Sequence, residues 1–290
     1  HRFGSAADLC VALHNLASGR LTDIPRRPAV ERSGRWRLLP GVALAMVIVI
    51  LALGIGSLYL YLPIETTPRV TAASFRFTQL TNQGGEELYP SYSPDGRSFV
   101  FTSRESGNWD IYLQRIGESS PTNLTKDSLA SDAQGIFSPD GGSIAFRSER
   151  DGGGIFMMDA AGGSVKRIAA LGYHPAWSPD GKEIAYGIDD FDEPGSRTIV
   201  PSELWRVNVA TGEKRLVTNS DAVQPSWSPT GSRIAFWGIN SAGQRDIFTV
   251  SADGGDVVPV TNDVATDWNP VWSTDGKSLY FLSDRDGSMN

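Results

Sequence analysis

Carboxylates recur in this chain at one kind of place. Asp95, Asp140, Asp180 and Asp275 each stand directly before a glycine, Gly96, Gly141, Gly181 and Gly276. Carboxylates brought together in space serve as acid–base pairs or hold a hard cation. Those roles require local settings that differ, whereas these four share one. Aromatic residues show the same regularity. Tyr92, Phe137, Trp177, Trp227 and Trp272 each lie three residues before the aspartate position. A row of aromatic rings can stack on sugars, but a fixed period suits packing between neighbouring repeats better. Trp109 and Trp268 have no counterpart in most repeats, which makes them the better candidates for exposed contacts.

One further cluster stands outside the pattern. Asp189, Asp190, Asp192 and Glu193 place four carboxylates in five residues, followed by Pro194 and Gly195. Calcium loops need oxygen ligands at set spacings, and Pro194 occupies the third of them. A solvated acidic loop is therefore expected, and as an irregular insertion it is the best candidate for a variable ligand or partner loop. His14, His174 and the lone Cys10 are isolated, so no metal-ligand spacing is present. No Gly-x-Ser-x-Gly elbow occurs, and Gly54-x-Gly56 lacks the third glycine of a nucleotide loop. No catalytic, cofactor-binding or metal residue is assigned.

The elements that carry the carboxylates are turns. The phrases are Tyr92-Ser93-Pro94-Asp95-Gly96, Phe137-Ser138-Pro139-Asp140-Gly141, Trp177-Ser178-Pro179-Asp180-Gly181, Trp227-Ser228-Pro229-Thr230-Gly231 and Trp272-Ser273-Thr274-Asp275-Gly276. Proline presets φ, serine and aspartate bond nearby N–H groups, and glycine accepts positive φ. Thr230 and Thr274 depart from the phrase but keep a workable turn. An apolar strand leaves each turn: Phe99-Val100-Phe101, Ile144-Ala145-Phe146, Ile184-Ala185-Tyr186, Ile234-Ala235-Phe236 and Leu279-Tyr280-Phe281. Apolar on both faces, these strands should lie between neighbouring sheets. Third strands follow around Ile111, Ile155, Leu204 and Ile247, and short fourth strands around Leu124, Ile168, Val217 and Val260.

The serines of the phrase lie 45, 40, 50 and 45 residues apart. Four antiparallel strands at such a period predict the blades of an all-β propeller. The pattern Leu-Thr, Pro-x-aromatic-Ser-Pro-Asp-Gly, Ile-Ala-Phe, Asp-Ile-Tyr resembles the TolB-type, WD-like β-propeller repeat over residues 75–290. Four blades and part of a fifth are expected. The segment Phe75–Leu80 is expected to supply the fourth strand of a blade whose other strands come last, which places the chain's end inside a blade. The fold names no activity, because propellers serve many.

Charge is divided along the chain. Residues 1–62 hold seven arginines and three acidic residues, for +4, so the net −7 leaves −11 on the remainder. An acidic propeller is a poor nucleic-acid binder. Cys10 alone permits no intramolecular disulfide.

Leu38 to Leu62 is a run of 25 residues without a charge. About 20 apolar residues span a bilayer as a helix. Trp36, Tyr59 and Tyr61 flank it, and Arg26, Arg27, Arg32, Arg35 and Arg37 precede it. The positive-inside rule predicts a single-span bacterial inner-membrane protein, with residues 1–37 cytoplasmic and the propeller outside. The run is too long for a signal-peptide core.

Before the span, Leu9, Ala12, Leu13 and Leu16 recur at helical spacing after Ser5, which predicts a short helix over residues 1–18. The run Arg2-Phe3-x-Ser5-Ala6-x-Asp8-Leu9 resembles the end of the C-terminal lobe in bacterial serine/threonine protein kinases. In that family a basic juxtamembrane linker, here 19–37, leads to one span, here 38–62, and an external sensor; residues 63–74 would join span to propeller. The resemblance implies a receptor-kinase parent using ATP and Mg²⁺. The chain itself carries no glycine-rich loop, His-Arg-Asp or Asp-Phe-Gly, and its own cofactor list is empty. The expected function is an external sensor or protein-interaction region that binds an unknown ligand or protein, with homodimers as a further expectation. Three alternatives stand beside it: a membrane-anchored winged-helix regulator, a prolyl-oligopeptidase-like propeller with a separate hydrolase domain, and a non-catalytic TolB-like interaction module.

Overall fold

The computed structural model describes residues 78–189 and 201–287. The expected helix at 1–18, the linkers, the span at 38–62 and the acidic residues Asp190, Asp192 and Glu193 lie outside them. Among the described residues no helix is long and apolar enough to cross a membrane. The described residues belong to one compact unit.

That unit is built of four-stranded antiparallel blades. Blade 1 holds β1 (Glu87–Tyr92), β2 (Ser98–Ser103), β3 (Asp110–Arg115) and β4 (Thr122–Asn123). Blade 2 holds β5 (Asp132–Phe137), β6 (Ser143–Ser148), β7 (Gly154–Asp159) and β8 (Lys166–Ala169). Blade 3 holds β9 (Tyr173–Trp177), β10 (Glu183–Gly187), β11 (Leu204–Asn208) and β12 (Lys214–Thr218). Blade 4 holds β13 (Val223–Trp227), β14 (Arg233–Ile239), β15 (Arg245–Ser251) and β16 (Val258–Pro259). Each blade pairs its strands in chain order. β17 (Asp267–Trp272) and β18 (Leu279–Ser283) pair as the described part of a fifth.

The second strand of each complete blade is its buried middle, as its two apolar faces require. Val100, Ile144, Ala145, Ile184, Ala185, Ile234 and Ala235 have no exposed surface. Four core clusters mix residues of adjacent blades: in one, Val100 and Ile111 of blade 1 pack with Phe137, Ile144 and Phe146 of blade 2. Leu124, just after β4, packs on that same blade 2 cluster. Leu80 packs in the equivalent way on Phe99, Phe101 and Tyr112 of blade 1, and its carbonyl accepts a hydrogen bond from Gln114 Nε2 at 2.6 Å. The segment before β1 thus occupies the place of an outer strand from a preceding blade.

The repeated turns tie the blades together on one face. In the first, Ser93 Oγ donates to Asp95 Oδ1 at 2.6 Å, and the Arg97 N–H donates to the same oxygen at 3.0 Å. Ser138 with Asp140, Ser178 with Asp180, and Ser273 with Asp275 repeat this geometry. These donors hold Asp95, Asp140, Asp180 and Asp275 below the ordinary carboxylate range, with the serine hydroxyl the largest cause. In blade 4 the Thr230 hydroxyl stands 3.2 Å from Ser228 Oγ in the carboxylate's place. Turn also meets turn: a Cβ on Gly181 or Gly231 would touch the proline of the preceding blade's turn, Pro139 or Pro179. The carboxylates are structural members of turns, each bonded within its own turn.

The aromatic position clamps one blade to the one before. Trp177 Nε1 donates to the Ile136 carbonyl at 3.3 Å, Trp227 Nε1 to Ala176 at 3.0 Å, and Trp272 Nε1 to Ser226 at 3.1 Å. Buried indoles need such an acceptor. Packing between blades, and not an open stacking face, is what Phe137, Trp177 and Trp227 provide.

Candidate binding site at the axial channel

The innermost strands carry an irregularity that recurs in every blade. Their pairing with the second strand slips between Leu88 and Ser91, Ala133 and Ile136, Val223 and Ser226, and Trp268 and Val271. Blade 3 slips likewise between the Gly187 and Ala185 pairings. At each bulge one residue adopts a left-handed backbone: Tyr89 (φ 53°), Gln134 (57°), His174 (52°), Gln224 (50°) and Asn269 (54°). Left-handed φ is uncommon outside glycine and costs about 1–3 kcal/mol where it persists. Bulges bend a strand and re-aim its side chains.

All five residues line one axial cavity of about 610 Å³. Pro90, Pro175, Pro225 and Pro270 follow four of them and line it too, with Gly135 following the fifth. A proline has no N–H to offer a ladder, so a bulge is a tolerated place for it. Gly135 is closely packed: a Cβ there would come within 3.2 Å of the Ile111 side chain of blade 1, which would have to shift slightly.

Among the described residues, the cavity lining contains no Asp, Glu, Lys or Arg. Its polar groups are amides, hydroxyls and one imidazole. The His174 N–H donates to Gln134 Oε1 at 2.7 Å, and the Gln134 amide lies 3.4 Å from His174 Nε2. Tyr89 meets the His174 ring edge-on at 6.1 Å. Trp237 Nε1 donates to Gln224 Oε1 at 2.6 Å, fixing that amide. Such a lining can exchange hydrogen bonds with a neutral polar segment and pack against apolar groups. It supplies no activated nucleophile, and among the described residues no group of three His, Cys, Asp or Glu could hold a metal.

Of the residues singled out in the sequence, Pro94, Ser138, Pro139 and Pro179 of the turns and the aromatics Phe137, Trp177 and Trp227 also line this cavity, whereas Asp189, Trp109 and Trp268 do not. The turn residues Ser93 to Gly96 and their counterparts hold the ring together at one end of the channel. Asp189 is half-buried, its N–H donating to Ser202 Oγ at 3.2 Å. Trp268, expected as an exposed contact, is buried at 7% beside Val223, Trp237 and Ile247, because it begins the channel side of its blade and fills the space between blades 4 and 5. Trp109 is half-buried on the loop between β2 and β3, with the Arg104 guanidinium 5.1 Å from its ring. The five channel residues were not singled out. Their signals were a fixed place four residues before the serine of each repeat and, in four of the five repeats, a proline directly after them.

Blades of this topology around an axial cavity define a β-propeller. Residues 70–193 and 172–290 match the TolB beta propeller domain, and the chain belongs to that family. It is 28% identical over 206 residues to an uncharacterized protein of Agrobacterium fabrum, covering 67% of this chain and 64% of the relative. It is 26% identical over 218 residues to the uncharacterized peptidase YuxL of Bacillus subtilis, covering 67% of this chain and 29% of the relative. A TolB-type structure from Agrobacterium tumefaciens superposes with TM-score 0.60 at 26% identity, over 69% of this chain and 71% of the other. The chain thus spans less than two thirds of the curated relatives' lengths.

Proposed function

We propose that this chain supplies a non-catalytic binding propeller that takes a neutral, polar segment of a ligand or protein partner into its axial channel. One observation carries the reading: five non-glycine residues hold left-handed backbone at the channel wall. The blades do not need those side chains, since four residue types fill the five places. Strain kept in every blade at one wall is a mark of a functional surface. The same reading places the propeller on the outer side of a bacterial inner membrane, anchored by residues 38–62. It makes the chain the sensor region of a receptor whose cytoplasmic part resembles a serine/threonine protein kinase. Support for that context comes from the uncharged run, the five arginines before it and the Arg2–Leu9 resemblance. Homodimers would couple ligand to kinase only if one state bound the ligand better. The match to peptidase YuxL favours a second reading, a propeller that covers a hydrolase domain.

A photo-crosslinking residue at Asn269, exposed at the channel wall, tests the binding claim. One discrete adduct from position 269, absent from the outer-strand position Leu216, is the expected result in cells. Equal labelling from both positions overturns the channel as the site. For the anchor, alkaline phosphatase fused after residue 70 should be active, and an inactive fusion with a fluorescent cytoplasmic counterpart reverses the topology.

A further inference from the structure

A second cavity, of about 170 Å³, lies among blades 1, 2 and 3. Trp109, Tyr89, Gln134, Arg147, Glu149 and Tyr173 line it. Tyr89 and Gln134 also line the channel. The repeats provide an internal control for what this cavity needs. Where blade 2 pairs Ala133 with Arg147, blade 1 pairs Leu88 with Thr102, blade 4 pairs Val223 with Trp237, and blade 5 pairs Trp268 with Leu282. A charge at this place is therefore no requirement of a blade.

Arg147 is nonetheless buried, its side chain 10% exposed. Blade 2 makes room for it with small neighbours. Ala133 faces it, and a Cβ on Gly153 would come within 2.8 Å of Arg147 Nη2. Blade 1 has Trp109 at the place of Gly153. The guanidinium lies 4.5 Å from the Tyr173 ring. Nη1 donates to backbone carbonyls of Ser148 and Gly154. Nη2 donates to Glu149 Oε1 at 2.5 Å and faces Tyr173 Oη at 3.4 Å. Nε is buried and has no acceptor among the described residues. The Nε–Nη2 edge, the one a carboxylate takes with two parallel bonds, is half-used. Glu149 is 56% exposed and can swing away.

We infer that this cleft is a carboxylate-binding subsite: an incoming carboxylate takes the Nε–Nη2 edge of Arg147 from Glu149, while its neighbouring apolar group packs on Tyr173 and Trp109. Pockets for drug-sized molecules run to about 300–1,000 Å³. This smaller cleft suits one residue or one sugar ring. The carboxylate can belong to a peptide terminus or acidic side chain, or to a uronic acid. The inference goes beyond the channel reading, shares two wall residues with it, and is tested at residues remote from Asn269.

Titration of the full chain, followed by tryptophan fluorescence and calorimetry, separates the sources. The probes are acetyl-Ala-Ala-Phe with a free or amidated C-terminus, and digalacturonate with its methyl ester. At least one acid should bind tenfold or more tightly than its neutral counterpart, and which one binds names the source. Arg147→Lys, which keeps the charge but loses the forked edge, should weaken that acid at least tenfold. Glu149→Gln replaces the rival carboxylate with a neutral, weaker acceptor and should tighten it two- to fivefold. Acids binding no better than the amide and the ester overturn the subsite. So does an acid whose affinity is unmoved by Glu149→Gln, a variant at an exposed residue that serves even where Arg147→Lys fails to fold.

Discussion

The ring of turns and the wall of the channel are built from the same repeat by opposite rules. At the turns nearly the same residues return in blade after blade and make the same bonds: serine to aspartate in four of the five, glycine against the preceding proline, and indole to the preceding blade's carbonyl in three. At the channel wall the backbone geometry returns but the residues do not: Tyr89, Gln134, His174, Gln224 and Asn269 share a left-handed φ and little else. Recurrent chemistry therefore serves the ring, and the wall residues are released to face a ligand. Arg147 extends the contrast, as a buried cation at a repeat position where the other described blades carry uncharged residues.

The largest effect should come from breaking the recurrent clamp. Trp227 is buried and bonded to blade 3, so Trp227→Ala should cost about 3–5 kcal/mol in denaturant unfolding. Tyr92 holds the same repeat position but is 56% exposed, and Tyr92→Ala should cost under about 1 kcal/mol. Equal losses at the two places would refute the clamp.

At the wall, backbone geometry should matter and side chain should not. Asn269→Val forces a β-branched residue into left-handed φ and should cost about 1–2 kcal/mol. Asn269→Gly suits that φ and should change stability by less than about 0.5 kcal/mol. A large loss on Asn269→Gly would make its side chain a fold determinant and blur the contrast.

The smallest effect is a pH signature of the turns. Asp180 titrates below its ordinary 3.8 because Ser178 and the Lys182 N–H donate to it. Its folded value is depressed, so its contribution is present above 3.8 and is lost as pH falls through the folded value. The melting-temperature gap between the parent and Asp180→Asn should therefore narrow below about pH 3.8. Blade 4 has Thr230 in this place, so Thr230→Val should show a gap independent of pH. Asp132 and Asp246, raised by burial, act with opposite sign in both members of each comparison and cancel.

The amino-acid sequence by itself determined the blades. A turn phrase at a period near 45 residues, an apolar strand after it and an aromatic before it are local patterns, and local patterns specify turns, strands and their order. The turn role of Asp95, Asp140, Asp180 and Asp275 was legible for the same reason. Only the tertiary structure decided which residues share the axis. Tyr89, Gln134, His174, Gln224 and Asn269 each stand four residues before the serine of the repeat, but four residue types at that one place carry no common chemistry to mark it. Their common feature is a backbone bulge, which depends on pairing with the next strand. Trp268 was misjudged from its lack of counterparts, because burial is fixed by what packs across from a residue, here Val223 and Trp237 of the preceding blade. Arg147 reads as an ordinary charge in a strand; closure of three blades around it removes its water and leaves half of its forked edge for a ligand.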